Sequence, residues 1–213
     1  MTVSIKNIYC IGRNYALHAE ELNNPVPTSP FLFSKPTHAV VEANGQIISL
    51  PGDQGEVHYE LEFVVHIARP YEQGIKIEDL VDKKALGIDF TLRDVQNQLK
   101  EKKYPWLVAK GFPNSAVLTA WSPFEGLEES MRCDFSLEQN GREVQRGNIK
   151  NMIFNLPAIL EFCAKHFGLD AGDIVFTGTP AGVGPVADGD HLVLKWNNQQ
   201  LGECMIKLAH KEK

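Results

Sequence analysis

The sequence predicts a mainly β chain with flanking helices, an α+β fold, on three observations. Short apolar segments recur between Gly, Pro and Asn turns. Only a few stretches carry a helical period. No internal repeat or low-complexity linker divides the 213 residues, a length that one domain accommodates.

Taken in order, Ile5 to Gly12 reads as a strand and Tyr15 to Leu22 as a short helix ended by Asn23-Asn24-Pro25. The three prolines between Asn24 and Pro30 predict an exposed, irregular loop. Phe31 to Ser34 and Gln46 to Leu50 read as strands. Tyr59 to Ile67 has the strongest alternation, with Tyr59, Leu61, Phe63, Val65 and Ile67 on one face. His58, Glu60, Glu62, Val64 and His66 take the other. Ala85 to Thr91 is a further strand, leading into a helix from about Leu92 to Lys102. Asn140-Gly141, between two runs of alternating character within Phe135 to Arg146, marks a hairpin. Asn155 to Phe167 is amphipathic, with Pro157 in its first turn and Gly168 placed to cap it. Asp173 to Thr177, His191 to Trp196 and Glu203 to Leu208 complete the strands, the last two joined through Asn197 to Gln200. Three helices are expected in all.

Composition excludes several classes of function. With 43% hydrophobic and 23% charged residues the chain is an ordinary soluble type, and no run approaches the roughly 18 apolar residues of a membrane helix. The start, MTVSIKNIYCIG, lacks the apolar core and cleavage site of a secretory signal. Cys10, Cys133, Cys163 and Cys204 form no C-x-x-C pair, which argues against a zinc knuckle or a disulfide framework. A cytoplasmic location is expected. A net charge of −6 speaks against nucleic acid as a partner. The basic run Lys100-Glu101-Lys102-Lys103 reads as the solvated end of a helix.

Chemistry begins at Glu60 and Glu62. Two apart on a strand, they emerge on one face, where like charges raise each other's pKa unless a cation lies between them. An isolated E-x-E is more often a strand face meeting water. Asp89, in the apolar run Gly87-Ile88-Asp89-Phe90, is costly to bury unpaired, although it or Thr91 also suits a helix N-cap. Three carboxylates without His or Cys suit Mg²⁺ or Mn²⁺ better than zinc. His58 shares the Glu60 face as a supporting residue at best, and His66 is expected to be structural.

Several short motifs then fall in a definite order. They are Gly12-Arg13-Asn14-Tyr15 with His18 and Glu21, Phe33-Ser34-Lys35-Pro36, His58-Tyr59-Glu60-Leu61-Glu62, and Asp89-Phe90-Thr91-Leu92-Arg93-Asp94-Val95-Gln96. Trp106 to Lys110, the Gly147-Asn148 region, Gly172 to Pro180 and Gly182-Val183-Gly184 follow. This ordered set resembles the fumarylacetoacetate hydrolase family, in particular its short single-domain acylpyruvate hydrolase and oxaloacetate decarboxylase branch. The resemblance implies a mixed β-roll over residues 1–213, a homodimer, and a mobile lid at about residues 13–30. It places Glu60, Glu62 and Asp89 as metal ligands chelating a small 2-oxo acid substrate. It makes His18 and Glu21 a lid dyad, and sets Arg13, Arg93, Gln96, Lys110 and Thr179 around the substrate.

The residue types suit such chemistry. Cleaving a C–C bond beside a ketone leaves an enolate, which a cation and the Lys110 ammonium can stabilise. His18 is the candidate base, three residues before Glu21 on a helix and so within hydrogen-bonding reach of it. Lys110 follows the apolar run Trp106-Leu107-Val108-Ala109, read as a strand that holds the amine rigidly. Thr177-Gly178-Thr179-Pro180 lacks the G-K-[ST] ending of a phosphate loop. It reads instead as a tight turn presenting backbone amides and the Thr179 hydroxyl to a carboxylate. After Lys110, the run Gly111-Phe112-Pro113-Asn114 departs from the Ser-containing turn of many relatives.

Hydrolysis of acylpyruvates to pyruvate and a carboxylic acid ranks first on this reading, because a His-Glu dyad suits activation of water. Decarboxylation of oxaloacetate is the alternative, followed by isomerisation or decarboxylation of 2-oxo diacids in aromatic catabolism. A non-catalytic metal and carboxylate binding module ranks last.

Overall fold

The computed structural model describes residues 4–21 and 25–209. The Asn23-Asn24 helix stop and the Leu22 end of the first helix lie outside them. In chain order the first half runs β1 (Ile8–Ile11), α1 (Ala16–Glu21), β2 (Leu32–Lys35), β3 (Val40–Glu42), β4 (Asn44–Pro51), β5 (Val57–Tyr59), β6 (Leu61–Ile67), α2 (Ile77–Leu80), β7 (Val81–Asp89) and β8 (Thr91–Leu92). The second half runs α3 (Arg93–Glu101), α4 (Leu107–Lys110), β9 (Ala116–Leu118), β10 (Ser122–Pro123), α5 (Leu127–Arg132), β11 (Phe135–Gln139), β12 (Arg142–Gly147), α6 (Leu156–Phe167), β13 (Ile174–Phe176), β14 (Gly184–Pro185), β15 (His191–Trp196) and β16 (Gln199–Ala209).

Three sheets carry the fold. The largest has the order β2-β1-β13-β6-β7-β9-β3, with β10 also on β7. The second is β12-β11-β15-β16-β4, and the third is the small β14-β5-β8. Parallel pairings of β1 with β13, β3 with β9 and β4 with β16 make the first two sheets mixed. The predicted mainly β fold with flanking helices is what forms. The hairpin of β11 and β12 turns at Asn140 and Gly141, both at positive φ (54° and 79°), as a two-residue turn requires. Asn197 and Asn198 do the same between β15 and β16, so β16 starts at Gln199, earlier than Glu203. Helix α6 is capped by the Asn155 side chain, which accepts from the Ala158 amide at 3.0 Å.

Three expectations need correction. Tyr59 to Ile67 is two strands, because the chain leaves the small sheet at Tyr59 and enters the large one at Leu61. Every residue of β6 is buried, so its second face is covered by protein rather than by water. Six α-helices occur among the described residues, three more than expected, because α2, α4 and α5 span only four to six residues and have no room to show a period. Trp106 to Ala109 belongs to a helical turn, in which the Lys110 amide donates to the Trp106 carbonyl at 3.0 Å. A four-residue apolar run cannot reveal its own period, and here Leu107 and Val108 point outwards.

The core is continuous across the two large sheets, joining Phe63, Leu86 and Val175 to Leu137, Leu192 and Ile206, with α6 packed on it through Ile159 and Leu160. The four cysteines are unpaired. No helix among the described residues is long and apolar enough to cross a membrane.

Close packing is most exacting at Gly87, in the middle of β7. A Cβ there would lie 2.5 Å from the Phe176 ring and 2.9 Å from Val64. Gly87→Val is therefore expected to destabilise the fold by about 3 kcal/mol or more, the upper range for overpacking a core. A urea midpoint equal to that of the wild type would contradict this packing.

Candidate active site

The site lies where two neighbouring strands change sheets together. The strand path breaks at Glu60 between β5 and β6 and at Phe90 between β7 and β8. The Asp89 amide donates to the Glu60 carbonyl at 2.8 Å across this seam, and the Phe90 amide is taken by Ser115 at 2.9 Å. Freed from regular pleating, the carboxylates of Glu60, Glu62 and Asp89 converge, each offering an oxygen within 4.8 Å of the others. They are 5%, 1% and 0% exposed, so the cluster is sealed except beside Glu60.

Three cations balance it. Lys110 Nζ donates to Glu60 Oε2 at 2.7 Å, Asp89 Oδ2 at 2.5 Å and Thr91 Oγ1 at 2.6 Å. Arg93, in the first turn of α3, donates to Glu60 Oε1 at 2.5 Å and to Gln96 Oε1 at 2.7 Å. Its Nε points to His58 Nδ1 at 3.3 Å, which makes His58 a support for Arg93. Lys35, at the end of β2, lies 2.7 Å from Asp89 Oδ1 and donates to Ser115 Oγ at 3.0 Å. The Lys35–Asp89 contact has ion-pair distance but poor alignment, since Asp89 Oδ1 finds no well-directed hydrogen bond.

Glu62 has no such cation. Among the described residues its carboxylate accepts only the Gly178 amide, at 2.7 Å. Burial and the neighbouring Asp89 charge push its pKa well up, with Glu60 adding to the rise. Burial would also raise Glu60, but Lys110 and Arg93 overcome it and hold that group well below the usual carboxylate range. Lys110 is opposed by burial too, yet Asp89 and Glu60 raise its pKa, so it stays charged. An uncompensated carboxylate beside two others, all hard oxygen donors, fits a divalent cation.

The neighbouring turn is built around Gly178, whose φ is +98° and where a Cβ would sit 2.6 Å from that of Asn14. Asn14 ties the root of α1 to the body. Its amide donates to the Thr177 and Phe154 carbonyls at 2.9 and 3.0 Å, and its oxygen accepts the Phe154 amide at 2.7 Å. From there α1 places His18, 2% exposed, beside the cluster. Burial lowers the His18 pKa, against the pull of Glu60 and Glu21, so the ring is neutral near pH 7. His18 Nδ1 stands 3.6 Å from Glu21 Oε2. That is too long for the expected hydrogen bond, and Glu21 instead accepts the Gly182 amide at 3.1 and 3.2 Å. The amides of the Gly-rich turn are thus taken by the protein's own carboxylates, Glu62 and Glu21.

A narrow cleft opens over the cluster, lined by His18, Glu60, Lys110, Arg93, Gln96 and Arg13, together with Gly12, Lys100 and Trp106. Of the residues singled out in the sequence, Thr179 stands apart from this lining. Its hydroxyl accepts from Gln145 Nε2 at 2.9 Å, while Gln145 Oε1 accepts the Leu61 amide at 2.8 Å. Glu62 and Asp89 lie too deep to line the cleft. Phe112, in the departing run after Lys110, is buried outside it near Lys35. Lys35 and Gln145 carried no role on the sequence reading. A lysine directly before Pro36 at a strand end was the signal for the first, and Gln145 gave none.

Residues 7–209 match the family model described as "Fumarylacetoacetate (FAA) hydrolase C-terminal". The chain belongs to the fumarylacetoacetate hydrolase family. It is 36% identical to the oxaloacetate tautomerase YcgM of Escherichia coli (strain K12) over 200 residues, 92% of this chain and 91% of that protein. It is 33% identical to a mitochondrial oxaloacetate decarboxylase of Dictyostelium discoideum over 189 residues, 86% of this chain and 85% of the relative. The crystal structure of fumarylpyruvate hydrolase from Pseudomonas aeruginosa, in complex with Mn²⁺ and pyruvate, superposes with a TM-score of 0.89 at 32% identity, covering 98% of this chain and 92% of that one.

Relief of like-charge repulsion gives a test that needs no substrate. A carboxyl whose folded pKa is raised binds more protons folded than unfolded, so its ionisation costs stability as pH rises. Glu62→Gln is therefore expected to stabilise the metal-free protein at pH 7 by on the order of 1 kcal/mol. It should also cancel the rise in melting temperature that Mg²⁺ or Mn²⁺ gives the wild type. A variant less stable in EDTA, or equally stabilised by the ions, would contradict the reading of Glu62.

Proposed function

We propose that this enzyme enolises small 2-oxo acids, with oxaloacetate keto–enol interconversion as its leading reaction. The observation that carries this reading is a buried His18 set over a carboxylate cluster with Lys110 bonded to Glu60 and Asp89 at its centre. The relatives named for oxaloacetate support the substrate. A divalent cation held by Glu60, Glu62 and Asp89, Mg²⁺ or Mn²⁺ by the hardness of their oxygens, would act as a Lewis acid polarising the keto group.

The chain's own groups supply the proton transfer. His18 takes a proton from the carbon next to the keto group, breaking that C–H bond. That electron pair forms a C=C bond as the carbonyl π pair moves to the keto oxygen, where the Lys110 ammonium stabilises the charge. Return of the proton from His18 to that oxygen gives the enol, and the reverse path restores the ketone. Glu21 steadies the imidazolium formed in between, for which a shift of a few tenths of an ångström closes the 3.6 Å gap. We assign the lid role to residues 13–30, of which 22–24 lie outside the described residues. Asn14 is the fixed end of that segment.

Hydrolysis of acylpyruvates is the second reading, favoured by the His18–Glu21 pair and by the fumarylpyruvate hydrolase neighbour. There His18 would activate water against the distal carbonyl, and the C–C bond would break to leave a pyruvate enolate. Decarboxylation of oxaloacetate reaches that enolate by loss of CO₂.

Enol–keto interconversion of oxaloacetate should be followed beside pyruvate release from oxaloacetate and from acetylpyruvate, with Mg²⁺ and with excess EDTA. Metal-dependent interconversion faster than either release is expected, and His18→Ala should slow it by about 10²–10⁴, the usual worth of a general base. A rate within threefold of wild type in that variant would remove His18 from the proton path. Acetylpyruvate turnover faster than interconversion would move the assignment to the hydrolase.

A further inference from the structure

Lys100 lines the cleft, yet none of the steps above uses it. It lies seven residues after Arg93 and four after Gln96, so the three share one face of α3. This corrects its expected place in a solvated helix end: Lys102 and Lys103 are exposed, whereas Lys100 is half-buried. Its ammonium stands 5.3 Å from the centre of the Trp106 ring, a contact that restrains a long side chain. The Arg13 guanidinium stands likewise 5.3 Å from the Phe31 ring, and Phe31 meets Trp106 edge-on at 5.8 Å. Two touching aromatic rings thus each carry a cation beside the same cleft.

Charge pairing separates these cations from the rest. Arg93, Lys110 and Lys35 are matched to Glu60 and Asp89. Arg13 and Lys100 have no carboxylate partner among the described residues. Burial, with Arg93 and Arg13 nearby, pulls Lys100 down to about 8. Two half-desolvated, mutually repelling cations at the mouth of a cleft are stabilised by an incoming anion.

We propose that Lys100 and Arg13 form a second carboxylate subsite that makes the cleft prefer 2-oxo diacids over 2-oxo monoacids. The inference rests on the 2-oxo acid reading above and adds which member of that class is selected. In oxaloacetate the 2-oxo acid end would meet the cation that the cluster would hold, and the second carboxylate goes to Lys100 and Arg13. The monoacid 2-oxobutanoate has the same carbon chain with a methyl group in that place.

The test compares wild type, Lys100→Met, Lys100→Arg and Arg13→Met in Mg²⁺, measuring kcat and KM for oxaloacetate and the competitive inhibition constant of 2-oxobutanoate. Losing a charge-assisted contact should raise the oxaloacetate KM by roughly tenfold or more in each Met variant. The 2-oxobutanoate constant should move much less, and Lys100→Arg should restore most of the diacid preference. Equal shifts for both ligands, as a general disturbance of α3 would produce, overturn the subsite. So does an unchanged KM. A wild type that handles oxaloacetate without preferring it to 2-oxobutanoate overturns the subsite alone. A wild type that neither turns over oxaloacetate nor binds 2-oxobutanoate overturns the 2-oxo acid reading and the subsite with it.

Discussion

Three carboxylates cannot share a dry seam without positive charge among them, and much of this architecture answers that constraint. Ionised groups lose most of their hydration when buried, and mutual repulsion adds to the cost. The compensating cations come from three separate elements: Lys35 from the end of β2, Arg93 from the start of α3, and Lys110 from the end of α4. Each element must therefore dock with its charged end against the seam. The one-turn helix α4, too short to be stable alone, is held there in part by Lys110 and its three acceptors. Electrostatics at the site and docking of the surrounding elements are one problem with one solution.

Among the described residues the balance is incomplete at Glu62. Glu60 and Asp89 are each met by two basic side chains, whereas Glu62 meets a single backbone amide. The turn carrying that amide also reaches α1, since Asn14 grips Thr177 and Glu21 reaches Gly182. The carboxylate with least compensation and the helix carrying His18 thus hang on the same short stretch of chain.

Much of this was legible in the residues, for identifiable reasons. Strands long enough to show alternation, the Asn140-Gly141 hairpin and the Asn155-capped helix α6 carry their signals locally. The convergence of Glu60, Glu62 and Asp89 was readable through the resemblance to the family, since E-x-E by itself is more often a strand face meeting water. What escaped was set by partners distant in sequence. The break at Glu60 depends on β8 and β14 pairing with β5, which no local pattern announces. Trp106 to Ala109 reads as a strand in the sequence because apolarity alone does not say which side of a segment is covered. Lys100 looked solvated because its neighbours in sequence are, although its neighbours on the helix face, Arg93 and Gln96, are buried. Gln145, which holds both Leu61 and Thr179, sits in a polar strand with nothing to distinguish it.

The twin strand breaks have a consequence for how such a protein can change over generations. Glu62 lies within β6, whose neighbours Leu61, Phe63 and Val65 are committed to the core. Inserting or deleting one residue between Glu60 and Glu62 would reverse the facing of that whole strand, destroying the core before altering the chemistry. The spacing of the carboxylates is thus inherited with the scaffold. Arg13 and Trp106 sit outside any ladder, where a change of side chain leaves the facing of the strands untouched. Descendants of such a chain are free to revise what the cleft accepts, but bound to keep what its centre does.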